Sequence, residues 1–509
     1  MEYLLGIDIG TSGTKTVLFD VDANTISSKT CEYPLYQEQN GWAEQDPTDW
    51  WNATVEGINF VLKDSKVDPK DIKGLGLSGQ MHGLVMLDEK GELLRKSIIW
   101  CDQRTGKEAD ELNRLLTPEK LISITANPAL TGFTAAKILW VKNNEPETYR
   151  KCKHILLPKD YIRYKLTGEF ATEVSDASGM QLMNVAQRDW SDEVLDTLGI
   201  DRSLLGKMYE SQDVTGAVHS EASGVTGLKE GTIVVGGAGD NPAAAIGTGI
   251  VSEGSAFTTL GTSGVVYAVS DKVAIDQKGR VHTLCASVPG KWTVMSCTQG
   301  AGLSLQWLRN NICTEEVKLA KEKNVDPYEI MTDMASSVPI GADRLIYLPY
   351  LMGERSPHPD PDCRGTFFGL SAIHERKHLI RAVLEGVAYS QLECVDVFRE
   401  MGVNINDMMI CGGGARSPMW RQMFADMYQC PVSTIKADQG GALGAAILAG
   451  VGAGVYKDLE STCRKLILKK SVCEPIVDNG LEYQKYYGIY KDLYITLFDS
   501  FKKLSQVNK

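Results

Sequence analysis

None of the 12 cysteines forms a Cys-x-x-Cys pair, so neither a zinc knuckle nor a redox dithiol is signalled. Several sit inside apolar runs and read as small buried hydrophobes. No Gly-x-x-x-x-Gly-Lys-Ser/Thr loop occurs; Lys15 comes near one, but Thr14 precedes it. Any use of ATP therefore dispenses with that loop. Nor is there a basic stripe: 53 Lys and Arg face 65 Asp and Glu, a net charge of −12. Affinity for a phosphate backbone comes from clustered Lys and Arg, so no nucleic-acid partner is expected. The local exception, Lys465–Lys470, reads as solvated surface. The longest uncharged stretch, Gly440–Tyr456, contains six glycines. It falls short of the ~20 residues of a usual spanning helix. It reads as a tightly packed buried helix and the turn after it, with no membrane partner. Met1-Glu-Tyr carries no basic leader and runs straight into a strand. The expected location is the reducing cytoplasm.

What is present is a long, ordinary composition. At 509 residues the chain exceeds the ~250–300 at which a single core stops growing. Two large domains are expected. With 23% charged and 43% hydrophobic residues, neither disorder nor a fibre is indicated. The first half alternates strand-like and helix-like segments, an α/β pattern. Strands are expected at Leu4–Asp8, Thr16–Asp20, Ile72–Ser78 and Leu84–Leu87. Helices are expected at Thr48–Leu62, Lys107–Leu116, Thr134–Asn143 and Pro158–Leu166. Asp46 and Pro47 supply an N-cap and a first helical residue for the first of these. From Val251 the theme repeats: a strand pair around Gly261, helices Leu303–Asn310 and His378–Met401, strand Asp407–Ile410, and helix Pro418–Tyr428. Apolar spacing after Val455 predicts a helical extension, Leu481–Leu504.

The tetrapeptide Gly-Thr-Ser-Gly occurs twice, at Gly10–Gly13 and Gly261–Gly264, each time between two β-rich runs. Such a turn offers backbone N–H groups and small hydroxyls with no bulky side chain in the way, which suits phosphate. One turn per half suggests two like domains gripping one polyphosphate. The alternative is a pair of ordinary hairpins.

Gly74-Leu-Gly-Leu-Ser-Gly79 matches the dinucleotide fingerprint, but its glycines lie inside a β-like run and open no helix. Four other places can carry chemistry. Asp8 ends the first strand just before the first turn; a carboxylate beside phosphate makes sense if it faces Mg²⁺, directly or through waters. Lys15 could add positive charge there. In Val234–Ala245, Asp240 follows small residues, with Asn241 as the expected N-cap and Pro242 as the first helical residue. That places Asp240 exposed at a helix N-terminus, ionised, and able to act as a general base. Gln80-Met81-His82 and Trp100-Cys-Asp-Gln-Arg104 offer amide, imidazole, carboxylate and apolar faces suited to a sugar. Cys411-Gly-Gly-Gly-Ala-Arg-Ser-Pro lets a flat ring or a phosphate lie on the backbone. A cap, a structural histidine and a tight turn are the competing explanations.

Taken in order, Gly6-Ile-Asp-Ile-Gly-Thr-Ser, Trp42-Ala-Glu-Gln-Asp-Pro, Gly79-Gln-Met-His, Leu157-Pro-Lys-Asp-Tyr, Gly239-Asp-Asn, Leu260-Gly-Thr-Ser-Gly, Gly353-Glu-Arg and Gly412-Gly-Gly-Ala-Arg-Ser form a specific series. The chain resembles the FGGY carbohydrate kinases, and within them the xylulose kinases. The resemblance implies two actin-like (ribonuclease H-like) α/β domains with a cleft between them. The expected limits are 1–248 for the sugar-binding domain, 249–454 for the nucleotide-binding domain and 455–509 for the extension. It also implies transfer of the ATP γ-phosphate to the 5-hydroxyl of D-xylulose. Asp240 would be the base, and Asp8 would orient Mg²⁺ and the phosphates. Met81, His82 and Asn241 would touch sugar. Thr11, Ser12, Gly261 and Thr262 would line the phosphate path, with Lys15 beside it. Gly302 and Gln306 would bracket the nucleotide, and Gly413, Gly414 and Ser417 would hold the adenosine. Ala238 stands where these kinases often carry another glycine. The resemblance is compatible with a homodimer. Other readings are a kinase of ribulose, glycerol or another polyol, an actin-like ATPase, and an inactive sugar-binding regulator.

Overall fold

Two seven-stranded sheets dominate a computed structural model that describes residues 2–436 and 439–507. In the first, β1 (Tyr3–Ile9), β2 (Gly13–Asp20) and β3 (Thr25–Glu32) form an antiparallel meander. β4 (Ile72–Gly79) then joins β1 in parallel, and β5 (Ile233–Val235) joins β4 in parallel. The second sheet repeats this order. β6 (Gly254–Leu260), β7 (Gly264–Ser270) and β9 (Trp292–Thr298) form the meander, with β8 (His282–Cys285) beyond it. β10 (Ile405–Cys411) pairs in parallel with β6, and β11 (Val432–Ile435) with β10. Both Gly-Thr-Ser-Gly turns thus close the β1–β2 and β6–β7 hairpins. The decoy glycines Gly74, Gly76 and Gly79 lie within β4.

Helix α1 (Pro47–Ser65) begins as its sequence dictates, with Asp46 accepting from the Thr48 N–H at 2.8 Å and Pro47 in the first turn. It buries Trp50, Ile58 and Val61 against one face of the first sheet. The segment Leu84–Leu87 is a strand only from Val85, and it pairs with His154–Leu156 outside the main sheet.

The other faces are covered by exchange. α3 (Asp240–Gly247), which leaves the first sheet, packs Ala245 among Phe257, Tyr267, Val269 and Met409 of the second. α8 (Gly440–Gly452), which leaves the second sheet, packs Ala442, Ala446 and Ala449 with Leu4 and Val17 of the first. Gly6 and Gly76, paired across β1 and β4, let the helix backbone come close: a Cβ at either would collide with the carbonyl of Ala442 or Ala445. α3 and α8 themselves touch through Gly444, whose Cβ would strike the Ala243 carbonyl. The glycine-rich, uncharged stretch is therefore a backbone-contact helix between the two halves.

α6 (Arg376–Glu400) is buried along most of its length and carries the second lobe's core, with α7 (Pro418–Tyr428) beside it. The long C-terminal helix α9 (Val477–Ser505) packs Tyr483, Tyr487, Tyr490 and Phe501 onto this core. No helix of the described residues is long and apolar enough to cross a membrane.

Candidate active site

Asp8 and Asp240 come together at the joint between the lobes. Asp8 lies opposite Lys15 in the β1–β2 register and opposite Ser78 in the β1–β4 register. Ser78 Oγ donates to Asp8 Oδ1 at 2.7 Å. Burial raises the Asp8 pKa; Ser78 and the Lys15 charge oppose the rise. A Cβ at Gly441 would stand 3.2 Å from the Asp8 carboxyl and 2.5 Å from Ser78 Oγ, so the start of α8 abuts this carboxylate. Gly10–Gly13 closes on itself through the Gly10 N–H to Gly13 carbonyl bond of 3.1 Å. Thr11 is held from outside: its carbonyl accepts from Gln45 Nε2 at 2.7 Å and its hydroxyl accepts from Trp100 Nε1 at 2.9 Å. Ser12 is exposed at the tip of the turn.

Asp240 departs from the sequence expectation in two ways. The helix starts at Asp240 with Gly239 as its cap, so Asn241 is not the N-cap and Pro242 is not the first residue. Asn241 instead donates to Asp240 Oδ1 twice, from its backbone N at 2.7 Å and from Nδ2 at 3.0 Å. The carboxyl is also not an exposed, dipole-stabilised anion. Burial and then the nearby Asp8 charge raise its pKa to about 7, against the lowering effect of Asn241. Desolvation outweighs the helix dipole here because the dipole is worth at most ~2 kcal/mol and one pKa unit is already 1.36.

Met81 is buried, and its side chain covers Gly239: a Cβ there would lie 2.8 Å from Met81 Cγ. His82 follows with φ 69°, a left-handed backbone that turns its ring into the fold. Its Nδ1 pairs with the Gly179 carbonyl at 2.9 Å, and the ring lies 4.4 Å from that of Phe133. Burial, then the Lys137 and Arg355 charges, keep His82 well below its ordinary pKa, so it is neutral. Lys137 Nζ donates to the His82 carbonyl at 2.7 Å. Trp100 is 42% exposed. Asp102, read as a possible sugar ligand, is not one. It is fully buried, accepts from the Ala43 N–H at 2.6 Å, and pairs with Arg104 at 2.7 Å. Arg104 in turn stacks on Trp42 at 3.6 Å, so this pair is scaffold.

Beneath Asp240 lies a fully buried ionic cluster that sequence reasoning missed. Lys159 Nζ meets Asp160 at 2.7 Å and Glu173 and Asp176 at 3.3 Å each, and Arg163 meets Asp160 at 3.1 Å. The cluster grips the Asp240 loop: Arg163 donates to the Gly236 carbonyl at 3.0 Å, and the Gly239 N–H donates to Ser175 Oγ at 3.3 Å. Ser175 Oγ is itself bound to Glu173 at 2.9 Å. The available signal was three charges, Lys159, Asp160 and Arg163, crowded into a helix, α2 (Pro158–Thr167), whose other residues are largely buried, where isolated charge is not tolerated.

The second lobe holds a cavity of about 770 Å³. It gathers all seven second-lobe candidates: Gly261, Thr262, Gly302, Gln306, Gly413, Gly414 and Ser417. The Gly302 N–H donates to the Gly261 carbonyl at 2.7 Å, fixing α4 (Gly302–Asn311) against the second turn. Ser417 caps α7 through the Trp420 N–H at 3.3 Å. The opposite wall comes from α5 (Pro327–Ser336), through Tyr328, Glu329, Thr332 and Asp333. No motif announced this wall; it is an ordinary amphipathic helix in sequence.

Two family descriptions match this chain. The N-terminal domain of the FGGY family of carbohydrate kinases matches residues 3–247, and its C-terminal domain matches 256–453. The chain belongs to the FGGY family of carbohydrate kinases. Among curated relatives, it is 37% identical to the xylulose kinase of Bacillus subtilis, covering 99% of this chain and 100% of that one. It is 38% identical to the xylulose kinase of Escherichia coli over 92% of this chain and 93% of that one. Among solved structures, ligand-bound xylulose kinase from Lactobacillus acidophilus superposes with a TM-score of 0.92 at 27% identity, covering 99% and 100% of the two chains. For this FGGY carbohydrate kinase, the doubled sheet order is the family's two-domain α/β architecture.

Proposed function

We propose that this protein transfers the γ-phosphoryl group of ATP to the 5-hydroxyl of D-xylulose, giving D-xylulose 5-phosphate and ADP. The observation that carries this reading is Asp240. It stands at the joint of the lobes, between Asp8 and the first phosphate turn on one side and Met81 and His82 on the other. The relatives named above support xylulose as the acceptor.

Phosphoryl transfer is chiefly a matter of positioning and charge neutralisation. The ketose lies on Met81, His82 and Asn241 with its 5-hydroxyl at Asp240. Asp240 accepts the hydroxyl proton as the oxygen–phosphorus bond forms and the bond from γ-phosphorus to the bridging oxygen breaks. A carboxyl with a pKa of about 7 is half ionised near neutrality, where a general base works best. The nucleotide occupies the second-lobe cavity, with Gly302 and Gln306 on one side and Gly413, Gly414 and Ser417 on the other. Thr11, Ser12, Lys15, Gly261 and Thr262 line the route of its phosphates.

Asp8 fits a magnesium ion accompanying ATP. No group of three or more His, Cys, Asp or Glu among the described residues could hold a metal on its own. Magnesium asks for less, one or two carboxylates beside phosphates and waters. The Asp8 charge raises the proton affinity of Asp240, and burial raises that of Asp8 itself, so a cation placed between them would relieve both. When bound, the ion would neutralise phosphate charge. We further propose that the chain divides at 1–248, 249–454 and 455–509; the family matches support the first two limits.

The test is a panel of ketoses and polyols with products identified by mass and NMR. Phosphorylation of D-xylulose at O5, ahead of ribulose and glycerol, is expected. A strong preference for another acceptor would replace the substrate and leave the kinase reading in place.

A further inference from the structure

Arg355 stands in the cleft without an acidic partner. It follows Glu354 in the loop that leads from Tyr350 to Asp360, and the loop is firmly pinned. Glu354 Oε1 accepts from the Gln299 N–H at 2.8 Å, and the Ser356 N–H donates to the Cys297 carbonyl at 3.2 Å. Among the described residues, the one side-chain contact of the Arg355 guanidinium is Nη2 to His282 Nε2, at 3.3 Å. A half-buried guanidinium carries five donors, and here most of them have no protein acceptor.

Its orientation is built. Asn127 Nδ2 donates to the carbonyls of Thr125 at 2.9 Å and Thr283 at 2.8 Å, which leaves its Oδ1 as an acceptor. His282 Nδ1, 3.0 Å away, must therefore carry the proton, and Nε2 presents its lone pair to Arg355. Asn127 belongs to the first lobe and His282 to the second, so the relay spans the cleft. Phe133 links it to the sugar candidate: its ring lies 5.6 Å from His282 and 4.4 Å from His82. The Arg355 charge acts on His82, His282 and Cys297. It is absent from the leading influences on Asp240 and Asp8, where an arginine gripping the transferred phosphoryl group would stand.

We propose that Arg355 is a specificity-determining, sugar-binding residue supplied by the second lobe. Its guanidinium donates to the C1 hydroxyl and C2 carbonyl of the ketose, the end remote from the reacting hydroxyl, and Asn127 and His282 aim it. This rests on the placement of the sugar at His82. It gives the pocket a means of telling a ketose from a polyol, which carries a tetrahedral C2 hydroxyl in place of the planar carbonyl.

The experiment is steady-state kinetics on Arg355→Met, Arg355→Lys and His282→Phe, each checked for folding by thermal melting. Arg355→Met should raise KM for D-xylulose about 10- to 100-fold, the value of one or two hydrogen bonds to a charged group. KM for ATP should stay within about twofold of the parent, a change below 0.5 kcal/mol. Arg355→Lys should lie between, and should carry the test if Arg355→Met does not fold. His282→Phe keeps a ring against Phe133 and should give a smaller rise in the same constant. The penalty should shrink on 1-deoxy-D-xylulose or on the corresponding pentitol, which lack one contact each. An unchanged sugar KM, a rise confined to the ATP KM, or an equal penalty on all three acceptors overturns the proposal. His82→Ala separates the underlying reading: if it too leaves the sugar KM unmoved, the sugar pocket itself is misplaced.

Discussion

The carboxylate of Asp8 acts on Asp240 and, after burial, is the main influence that lifts its pKa to about 7. The rate constant kcat/KM for the sugar should therefore climb with pH to about 7 and then level, because the base works only when ionised. Removing the neighbouring charge in Asp8→Asn should move this limb to lower pH, whatever the variant's absolute rate. Stability should run the other way. Asp240 has a folded pKa above its unfolded value, so its contribution is complete below about pH 4 and is lost as pH rises through about 7. Asp240→Asn should then melt above the parent at pH 8 and gain nothing at pH 4. A pH-independent difference between the two would remove Asp240 from this linkage.

Asp240→Ala should lower kcat by about 10²- to 10⁴-fold, the usual yield of a positioned base, while calorimetry still detects xylulose binding. Retention of more than about a tenth of the rate would take the base role away from Asp240.

Asp8→Ala should lose rate with folding intact, and raising the magnesium concentration should recover only part of the loss. A normal rate at saturating Mg·ATP counts against a metal-facing Asp8.

Much of this arrangement was legible in the sequence because it rests on local rules. The two Gly-Thr-Ser-Gly hairpins, the Asp46 cap and helix Pro418–Tyr428 follow from turn chemistry and periodicity. Seven separate second-lobe residues converge on one cavity. The failures share one cause, which is burial that local spacing does not reveal. Asp240 reads as an exposed, ionised residue at a helix N-terminus until burial and the Asp8 charge raise its pKa. Asp102 reads as a ligand until Ala43 and Arg104 occupy it. Lys159, Glu173 and Asp176 carry no local pattern that joins them. The exchange of α3 and α8 between sheets is likewise invisible to periodicity, since both are simply small-residue helices.

That exchange makes Gly76 a stability position. Gly76→Ala would drive a Cβ into the Ala445 carbonyl, where no flexible side chain can give way. Overpacking of this kind costs ~1–3 kcal/mol or more, and here it would push α8 off the sheet. Denaturant unfolding should show a lower midpoint, with an early loss of activity because α8 also abuts Asp8. A midpoint equal to the parent's would mean that the helix does not bear on β4 as closely as the geometry requires.

Gly413 offers the complementary test, a change that touches the ligand and spares the fold. It lines the second-lobe cavity, and a Cβ there meets nothing within 4 Å. Gly414, its neighbour, has no such room: a Cβ would lie 2.7 Å from Leu260 Cβ and from the Trp420 ring. Gly413→Leu should therefore place its branched side chain in the nucleotide's space without displacing protein atoms. KM for ATP should rise about tenfold or more, equivalent to ~1.4 kcal/mol, while the melting temperature and xylulose binding hold. Gly414→Leu should instead lower the melting temperature through the strain it imposes on Leu260 and Trp420. If Gly413→Leu folds and leaves the ATP KM unchanged, the cavity is not where the nucleotide lies.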